Sequence, residues 1–310
     1  MAKKGKKTSK HIYPLNINGM QGRMYKSPPP KGKKTEILFI YGHHASLERY
    51  IGALEYLNRV GGVTCPDLPG FGGMDTFYKI GEKQTLDNMA DYLAAFVKLR
   101  YHKKQFVLIG YSLGVMVYTR MLQKYPDIAK QVTTVFSGAG FAHKDDFAFS
   151  KTRFWFFRSA AWLMSFRLTS AFYKYVALRP IFIRYVYRRL FNAKKKFDNK
   201  DSKQIEEAIE MEVDLWRNND PRTYMATALI MFKLDLTKGP KVDLPIYHAS
   251  IDDDMYFNHI RVEKHLSEIY SEIHVGKVSV PQHAMSVVAT AEEAASFIPK
   301  QFISVIKKMS

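Results

Sequence analysis

The chain of 310 residues contains a single cysteine, Cys65, so an intrachain disulfide bond is excluded. A lone thiol is typical of proteins from a reducing compartment, and we expect a cytoplasmic protein. No stretch of about 18 apolar residues without a charge occurs, which predicts that no helix spans a membrane. The basic N-terminal residues are followed by no apolar run of the kind found in secretory signals, so none is expected.

Acidic residues are missing from two long segments. Residues 1–34 contain ten Lys and Arg, and residues 151–197 contain twelve, with no Asp or Glu in either segment. Together these segments carry a charge of +22, which exceeds the net charge of +18 for the whole chain, so the remainder is slightly acidic. The basic character is therefore confined to two segments, and residues 1–10 are expected to form a flexible basic arm.

Short apolar runs alternate with amphipathic helical patterns over most of the chain. The runs Glu36–Tyr41 and Gln105–Gly110 are almost wholly apolar, as is typical of strands buried on both faces. The alternation predicts an α/β fold with a doubly wound, mostly parallel sheet. Residues 141–240 show helical patterns and no convincing strand. We therefore expect a core of residues 1–140 and 241–310, with a helical cap inserted after the sixth strand.

Ser112 lies between Gly110 and Gly114, at the end of an apolar run and directly before a helical pattern. The pattern Gly-x-Ser-x-Gly arises often by chance, so its context matters. A sharp turn at this position lifts the hydroxyl above the sheet edge, and the free N–H groups that begin the helix favour negative charge beside it. The alternative is that Ser112 is only a small residue at a turn.

A serine hydroxyl needs a base, and a group that orients the base, before it can act as a nucleophile. Three carboxylates follow one predicted strand: Asp252, Asp253 and Asp254. His283 lies in the loop after the next predicted strand. Three other histidines compete for the role of base: His259, His265 and His274. The order serine, acid, histidine is the order expected for a hydrolase built on this kind of sheet.

Four short motifs of the chain occur together in one known superfamily. Residues 40–44 resemble a strand-ending His-Gly loop, with a tyrosine at the histidine position, and residues 67–72 resemble an Asp-x-Pro-Gly-x-Gly loop. Residues 110–114 resemble a nucleophile elbow, and Asp252 and His283 fit the acid and base positions. The chain thus resembles the α/β-hydrolase fold superfamily, in its esterase- and lipase-like serine-hydrolase branch with a helical cap.

That resemblance implies a role for each motif. Ser112 would be the nucleophile, His283 the general base and Asp252 the acid that orients it, with Asp253 as the alternative acid. The backbone N–H groups of His43 and Leu113 would form the oxyanion hole. Three further residues would line the substrate pocket: Gly42, His44 and Tyr111. The proposed reaction requires neither a metal nor a cofactor. His43 and His44 are not expected to bind a metal, because adjacent side chains in an extended loop tend to point apart.

We therefore expect a serine hydrolase that cleaves a carboxylic ester with an apolar acyl chain through an acyl-enzyme intermediate. Its substrate would be a small-molecule ester or a lipid. The same residues fit a thioesterase, an aminopeptidase, a C–C hydrolase or an acyltransferase, because the pocket decides among these activities. A catalytically silent relative that binds a membrane or a protein partner is the alternative of a different class.

The basic segment 151–197 also holds fourteen aromatic residues. In one interpretation it is a helical lid whose aromatic side chains pack on the core, while its cations face water or pair with the eight acids of residues 198–220. In the other, aromatics and cations contact an anionic membrane from the cytoplasmic side. No RNA-binding motif is visible, so specific nucleic-acid binding is not expected. The sequence leaves the oligomeric state open.

Overall fold

The computed structural model describes residues 10–189, 202–252, 254–278 and 290–308. Its centre is an eight-stranded sheet in the order β1-β2-β4-β3-β5-β6-β7-β8. The strands are β1 Ile12–Ile17, β2 Met20–Ser27, β3 Glu36–Ile40, β4 Gly62–Pro66, β5 Phe106–Tyr111, β6 Val132–Gly138, β7 Val242–Ser250 and β8 Tyr270–Lys277.

All neighbours from β4 to β8 pair in parallel, as the apolar runs predicted. The strands β1 and β2 form an antiparallel hairpin, and β2 pairs antiparallel with β4. Asn18 and Gly19 make the hairpin turn with positive φ, a backbone conformation that these two residue types tolerate. The expectation of a doubly wound, mostly parallel sheet is confirmed.

Helices cover both faces of this sheet and continue into the insertion. They are α1 Leu47–Asn58, α2 Leu86–Tyr101, α3 Leu113–Lys124, α4 Pro126–Ala129, α5 Lys151–Met164, α6 Arg167–Val176, α7 Pro180–Arg189, α8 Ser202–Asn218, α9 Pro221–Met231, α10 His259–Ile269, α11 Ala291–Ser296 and α12 Lys300–Lys308. The spacing of apolar residues over Glu292–Lys308 predicts one helix, but the structure has two. Pro299 separates two helices, because proline lacks an N–H and disfavours helical backbone at the residue before it.

The helices α5 to α9 form the insertion between β6 and β7. Within the described residues of this stretch no strand occurs, in agreement with the sequence pattern. The helix α9 packs against α5 and α6, while α7 packs against α8. The insertion therefore consists of two sets of packed helices. Glu212 on α8 contacts His44, so the insertion lies against the loop that follows β3, at the edge of the sheet where the candidate serine is found.

Candidate active site

Ser112 occupies a strained turn between β5 and α3. Its backbone angles are φ 48° and ψ −111°, a conformation that residues other than glycine rarely adopt. A Cβ atom added at Gly114 would lie 2.2 Å from the carbonyl oxygen of Ile40, so only glycine allows β3 and α3 to approach so closely. The strand-to-helix turn predicted from the sequence is present, and Ser112 is 8% exposed.

The carboxyl ends of three strands are tied together around this serine. The backbone N–H of Ser112 donates to the carbonyl oxygen of Gly138 on β6 at 2.9 Å. The N–H of Ala139 donates in turn to the carbonyl of Ala249 on β7 at 3.3 Å. Loops after parallel strands meet at one sheet edge, which is where ligands bind in open α/β sheets.

The loop after β3 lies directly against Ser112. A Cβ atom added at Gly42 would lie 3.4 Å from the Cβ of Ser112 and 3.3 Å from the carbonyl oxygen of Tyr111. His43 follows Gly42 in this loop. Leu113 is the first residue of α3, so its backbone N–H has no hydrogen-bond acceptor within the helix. The two residues predicted to form the oxyanion hole thus belong to adjacent segments of chain.

The side chains of His43 and His44 both point toward the insertion. His43 Nε2 donates to the carbonyl oxygen of Tyr224 at 3.1 Å, and its ring stacks on the Tyr224 ring at 3.9 Å. Burial lowers the pKa of His43 to about 3, so this ring is neutral at physiological pH. His44 Nε2 instead donates to Glu212 at 2.8 Å. Across the described residues, no group of three His, Cys, Asp or Glu side chains could hold a metal ion.

Glu212, on α8, was not predicted from the sequence, although it joins the insertion to the loop after β3. Its carboxylate is completely buried and accepts hydrogen bonds from His44 and from the hydroxyl of Tyr187, each at 2.8 Å. Burial raises the pKa of Tyr187 to about 12, so the phenol remains a donor. One feature of the sequence indicates that Glu212 is buried. This residue lies three residues after the buried Ile209, on the side of the helix where apolar residues recur.

Glu212→Gln is expected to lower the free energy of unfolding by about 1–3 kcal/mol, because an amide group brings an NH₂ donor into a buried site where a carboxyl group accepts from two donors. Glu206→Gln is the matched control on the same helix. Glu206 pairs with Arg188 at 2.7 Å, and both side chains are half-exposed, so its loss is expected to cost less than about 1 kcal/mol. Urea unfolding of both variants checks the difference, and equal losses would contradict it.

The carboxylates after β7 occupy different environments. The side chain of Asp252 is 50% exposed and pairs with Lys277 at 3.2 Å, with His259 farther away at 3.9 Å. Asp254 accepts hydrogen bonds from the backbone N–H groups of Tyr256 at 2.8 Å and Phe257 at 3.3 Å. Asp253 and His283 lie outside the described residues. The three histidines that competed for the role of base lie in regular elements, His259 and His265 on α10 and His274 on β8.

A buried histidine at the ends of β6 and β7 was also not predicted from the sequence. His248, on β7, is buried, and its Nδ1 lies 2.9 Å from the hydroxyl oxygen of Ser137 on β6. Burial lowers the pKa of His248 to about 4, so it is neutral at physiological pH. His248 and Asp254 line the same small cavity at the ends of β6 and β7. His248 lies inside β7, so the sequence pattern around it could not distinguish a functional histidine from one that only fills the core.

The Asp-x-Pro-Gly-x-Gly loop is fixed by a buried carboxylate. Asp67 contacts Arg23 on β2 at 3.0 Å, and its other oxygen accepts a hydrogen bond from the hydroxyl of Tyr41 at 3.0 Å. The same hydroxyl accepts from the N–H of Leu68 at 2.7 Å. Tyr41, which stands at the position where the family has histidine, thus joins the loop after β3 to the loop after β4. This network holds the loop after β3, which lies against Ser112, to the loop after β4.

Comparison with known proteins agrees with this geometry. Residues 36–277 match the family model of the alpha/beta hydrolase fold. Human protein ABHD8 is 32% identical over 120 residues, which are 38% of this chain and 27% of that protein. The mouse protein ABHD8 is 34% identical over 119 residues, 35% of this chain and 25% of that protein. The matched region is thus about a quarter of the length of these curated relatives.

Solved structures are similar over nearly the whole chain. An esterase from Exiguobacterium antarcticum has a TM-score of 0.67 at 14% identity, covering 95% of this chain and 98% of that one. The enol-lactonase from Burkholderia xenovorans LB400 has a TM-score of 0.65 at 13% identity, covering 96% and 100%. At this level of identity the similarity shows the fold alone.

Proposed function

This chain belongs to the α/β-hydrolase fold family, and we propose that it is a serine hydrolase whose nucleophile is Ser112. The observation that supports this most directly is the strained backbone of Ser112, held between β5 and α3 beside the loop of Gly42. Strain of this kind costs about 1–3 kcal/mol and persists where the surroundings enforce it, often at active sites. A residue with only a turn-forming role has no need of it.

The proposed reaction is the hydrolysis of a carboxylic ester in two steps. Ser112 Oγ attacks the ester carbonyl while His283 takes its proton and then passes it to the departing alcohol. The backbone N–H groups of His43 and Leu113 stabilise the negative oxygen of the tetrahedral intermediate. Water, deprotonated by His283, then attacks the acyl-enzyme and releases the acid. Asp252 orients His283, and Asp253 is the alternative for that role.

An apolar acyl group suits the side chains around the serine. The ring of Trp216 lies 5.0 Å from that of Tyr224 and 4.4 Å from that of His44, between the insertion and the loop after β3. The rings of Tyr50 and Tyr111 lie 6.0 Å apart next to the serine. These aromatic rings offer apolar contact surface of the kind that lines pockets for apolar ligands, which supports an apolar acyl group.

Labelling with a fluorophosphonate probe tests the proposal directly. The intact protein is treated with the probe, digested, and the modified peptide is identified by mass spectrometry. We expect one label, on the peptide containing Ser112, and its loss in His283→Ala, because the hydroxyl is reactive only beside a base. No label on folded wild-type protein, or a label that His283→Ala leaves intact, would show that the proposed nucleophile and base do not act together.

A second candidate function is a catalytically silent protein that keeps the fold. The observation that favours it is Asp252, whose carboxylate is half-exposed and paired with Lys277 rather than shielded beside the serine. A silent protein would take no label at Ser112 and would hydrolyse no ester. Thioesters, amides and C–C substrates would distinguish the other activities of this fold once the label is found.

A further inference from the structure

The outward faces of α5, α6 and α7, here called the cap face, carry most of the exposed apolar surface of the described residues. Fourteen of the twenty large hydrophobic side chains that are exposed in the described residues lie between residues 155 and 186. They are Trp155, Phe156, Phe157, Trp162, Leu163, Phe166, Leu168, Phe172, Tyr175, Val176, Ile181, Phe182, Tyr185 and Val186. A concentration of exposed apolar side chains on three consecutive helices is typical of an interaction surface. The interpretation in which the aromatic side chains of this segment pack on the core does not fit the exposed ones, although Phe154 does pack there.

The side of each helix that faces outward explains why these side chains are exposed. On α6 the apolar residues Leu168, Phe172 and Tyr175 recur at helical spacing and are 84%, 69% and 68% exposed, whereas the inward residue Ser170 is buried. Surface helices normally turn such a stripe toward the core. On α5 the small Ala161 is buried while Trp162 is exposed. These helices therefore present their bulky apolar stripes to the surroundings.

Cations share this surface. Residues 151–189 contain nine Lys and Arg and no acid. Two of them, Arg184 and Arg188, pair with Glu210 and Glu206 on α8. Six others are exposed: Lys151, Arg153, Arg167, Lys174, Arg179 and Arg189. The guanidinium of Arg158 lies 4.6 Å from the ring of Trp155, so charge and aromatic surface are in direct contact.

We propose that the cap face docks on an anionic lipid surface, with its aromatic side chains in the headgroup region and its cations beside lipid phosphates. Trp and Tyr favour that depth, and basic residues add electrostatic attraction to anionic lipids. No helix in the described residues is long and apolar enough to cross a membrane, so the contact is peripheral. A symmetric pairing of two copies would instead bring two acid-free basic surfaces together, which charge repulsion opposes.

The inner side of the same helices connects the cap face to the candidate site. Tyr187 on α7 donates to Glu212, which accepts from His44 next to the loop of Gly42. Exposed Tyr185 and Val186 lie on the other side of α7. Docking would thus hold the insertion, and the site beneath it, against the bilayer. This inference does not require hydrolysis, because the binding it predicts can be measured without turnover.

Vesicle cosedimentation of the full chain tests the apolar contribution. We compare phosphatidylcholine vesicles with vesicles that also contain about 30% phosphatidylglycerol, and expect binding to the second at low salt. Replacing Trp155, Leu168 and Phe172 by serine is expected to lower the partition coefficient by about tenfold or more. The matched control replaces Leu99 and Ile260 by serine, since both are exposed outside the cap face, and it should bind like wild type.

Charge is tested separately with Arg167→Glu and Lys174→Glu, which should also lower binding about tenfold and reduce its dependence on salt. Brominated lipid should quench the fluorescence of Trp155 and Trp162. Equal binding of wild type and cap-face variants would overturn the proposal and assign any binding to the basic N-terminal residues. Lipid-independent dimers, measured by sedimentation velocity and abolished by the serine variants, would assign the face to a second copy instead.

Discussion

Ser112→Ala is expected to lower kcat/KM for activated esters by about 10⁴- to 10⁶-fold, because the whole two-step reaction depends on one nucleophile. The alanine keeps the backbone N–H that donates to the carbonyl oxygen of Gly138, so we expect the variant to fold. The free energy of unfolding should change little or rise. Steady-state hydrolysis of nitrophenyl esters of increasing acyl length measures the loss and identifies the preferred chain.

Ser137→Ala is the matched control for this experiment. Ser137 is a fully buried serine on the neighbouring strand, bound through its hydroxyl to His248. Its replacement should cost stability through a lost hydrogen bond but leave the chemical step nearly unchanged. A drop in activity of similar size in both variants would mean that the fold, rather than a nucleophile, had been damaged.

The same assay separates the candidate acids. Asp252→Asn, Asp253→Asn and Asp254→Asn are compared, and the variant of the residue that orients the base is expected to lose about 10⁴-fold in kcat. Asp254 already accepts two backbone N–H groups, so its variant should lower stability more than activity. If all three variants kept full activity, no carboxylate after β7 would orient the base.

At pH 9, where Asp67 is ionised, Arg23→Met is expected to lower the free energy of unfolding by about 3–5 kcal/mol, because it leaves this buried carboxylate without its cationic partner. Burial raises the pKa of Asp67 to about 8, and the nearby Arg23 opposes that rise. The folded protein therefore binds this proton more tightly than the unfolded chain, in which the pKa of aspartate is about 4. Stability from this group is fully present below about pH 4 and is lost as the pH rises to about 8.

The variant should shift this window upward. At pH 6 Asp67 is protonated with or without Arg23, so the variant leaves little unpaired charge. At pH 9 the wild type is stabilised by the attraction between the ionised Asp67 and Arg23, whereas in the variant the pKa of Asp67 rises further and this stabilisation is missing. Arg23→Met should therefore lose more stability at pH 9 than at pH 6 in chemical unfolding. Arg120→Met removes an exposed ion pair with Asp87 and should lose less than about 1 kcal/mol at both pH values. Equal losses for the two variants would contradict a special role for Asp67.

Much of the site could be predicted because its features are local in sequence. The run before Ser112, the glycines beside it and the helical pattern after it are all within about ten residues, and each is set by near neighbours. The structure has the elbow where the pattern indicates it. The same holds for the parallel strands, whose apolar runs report burial on both faces.

The pairings across the chain could not be predicted. His44 and Glu212 are 168 residues apart, and Arg23 and Asp67 are 44 apart, so neither pair leaves a periodic trace. Glu212 even occupies a position in an apolar pattern, where a carboxylate is unfavourable until the fold supplies two donors. The break at Pro299 is different, because the proline was visible and its effect on the last helix was local.

The sequence by itself determined the order of the strands and the turn at Ser112, because these follow from the spacing of apolar residues and glycines along the chain. Only the tertiary structure decided which way the aromatic stripes of the insertion face. Periodicity places Leu168 and Phe172 on one side of α6, but whether that side meets the core or the surroundings depends on which surfaces other helices already cover.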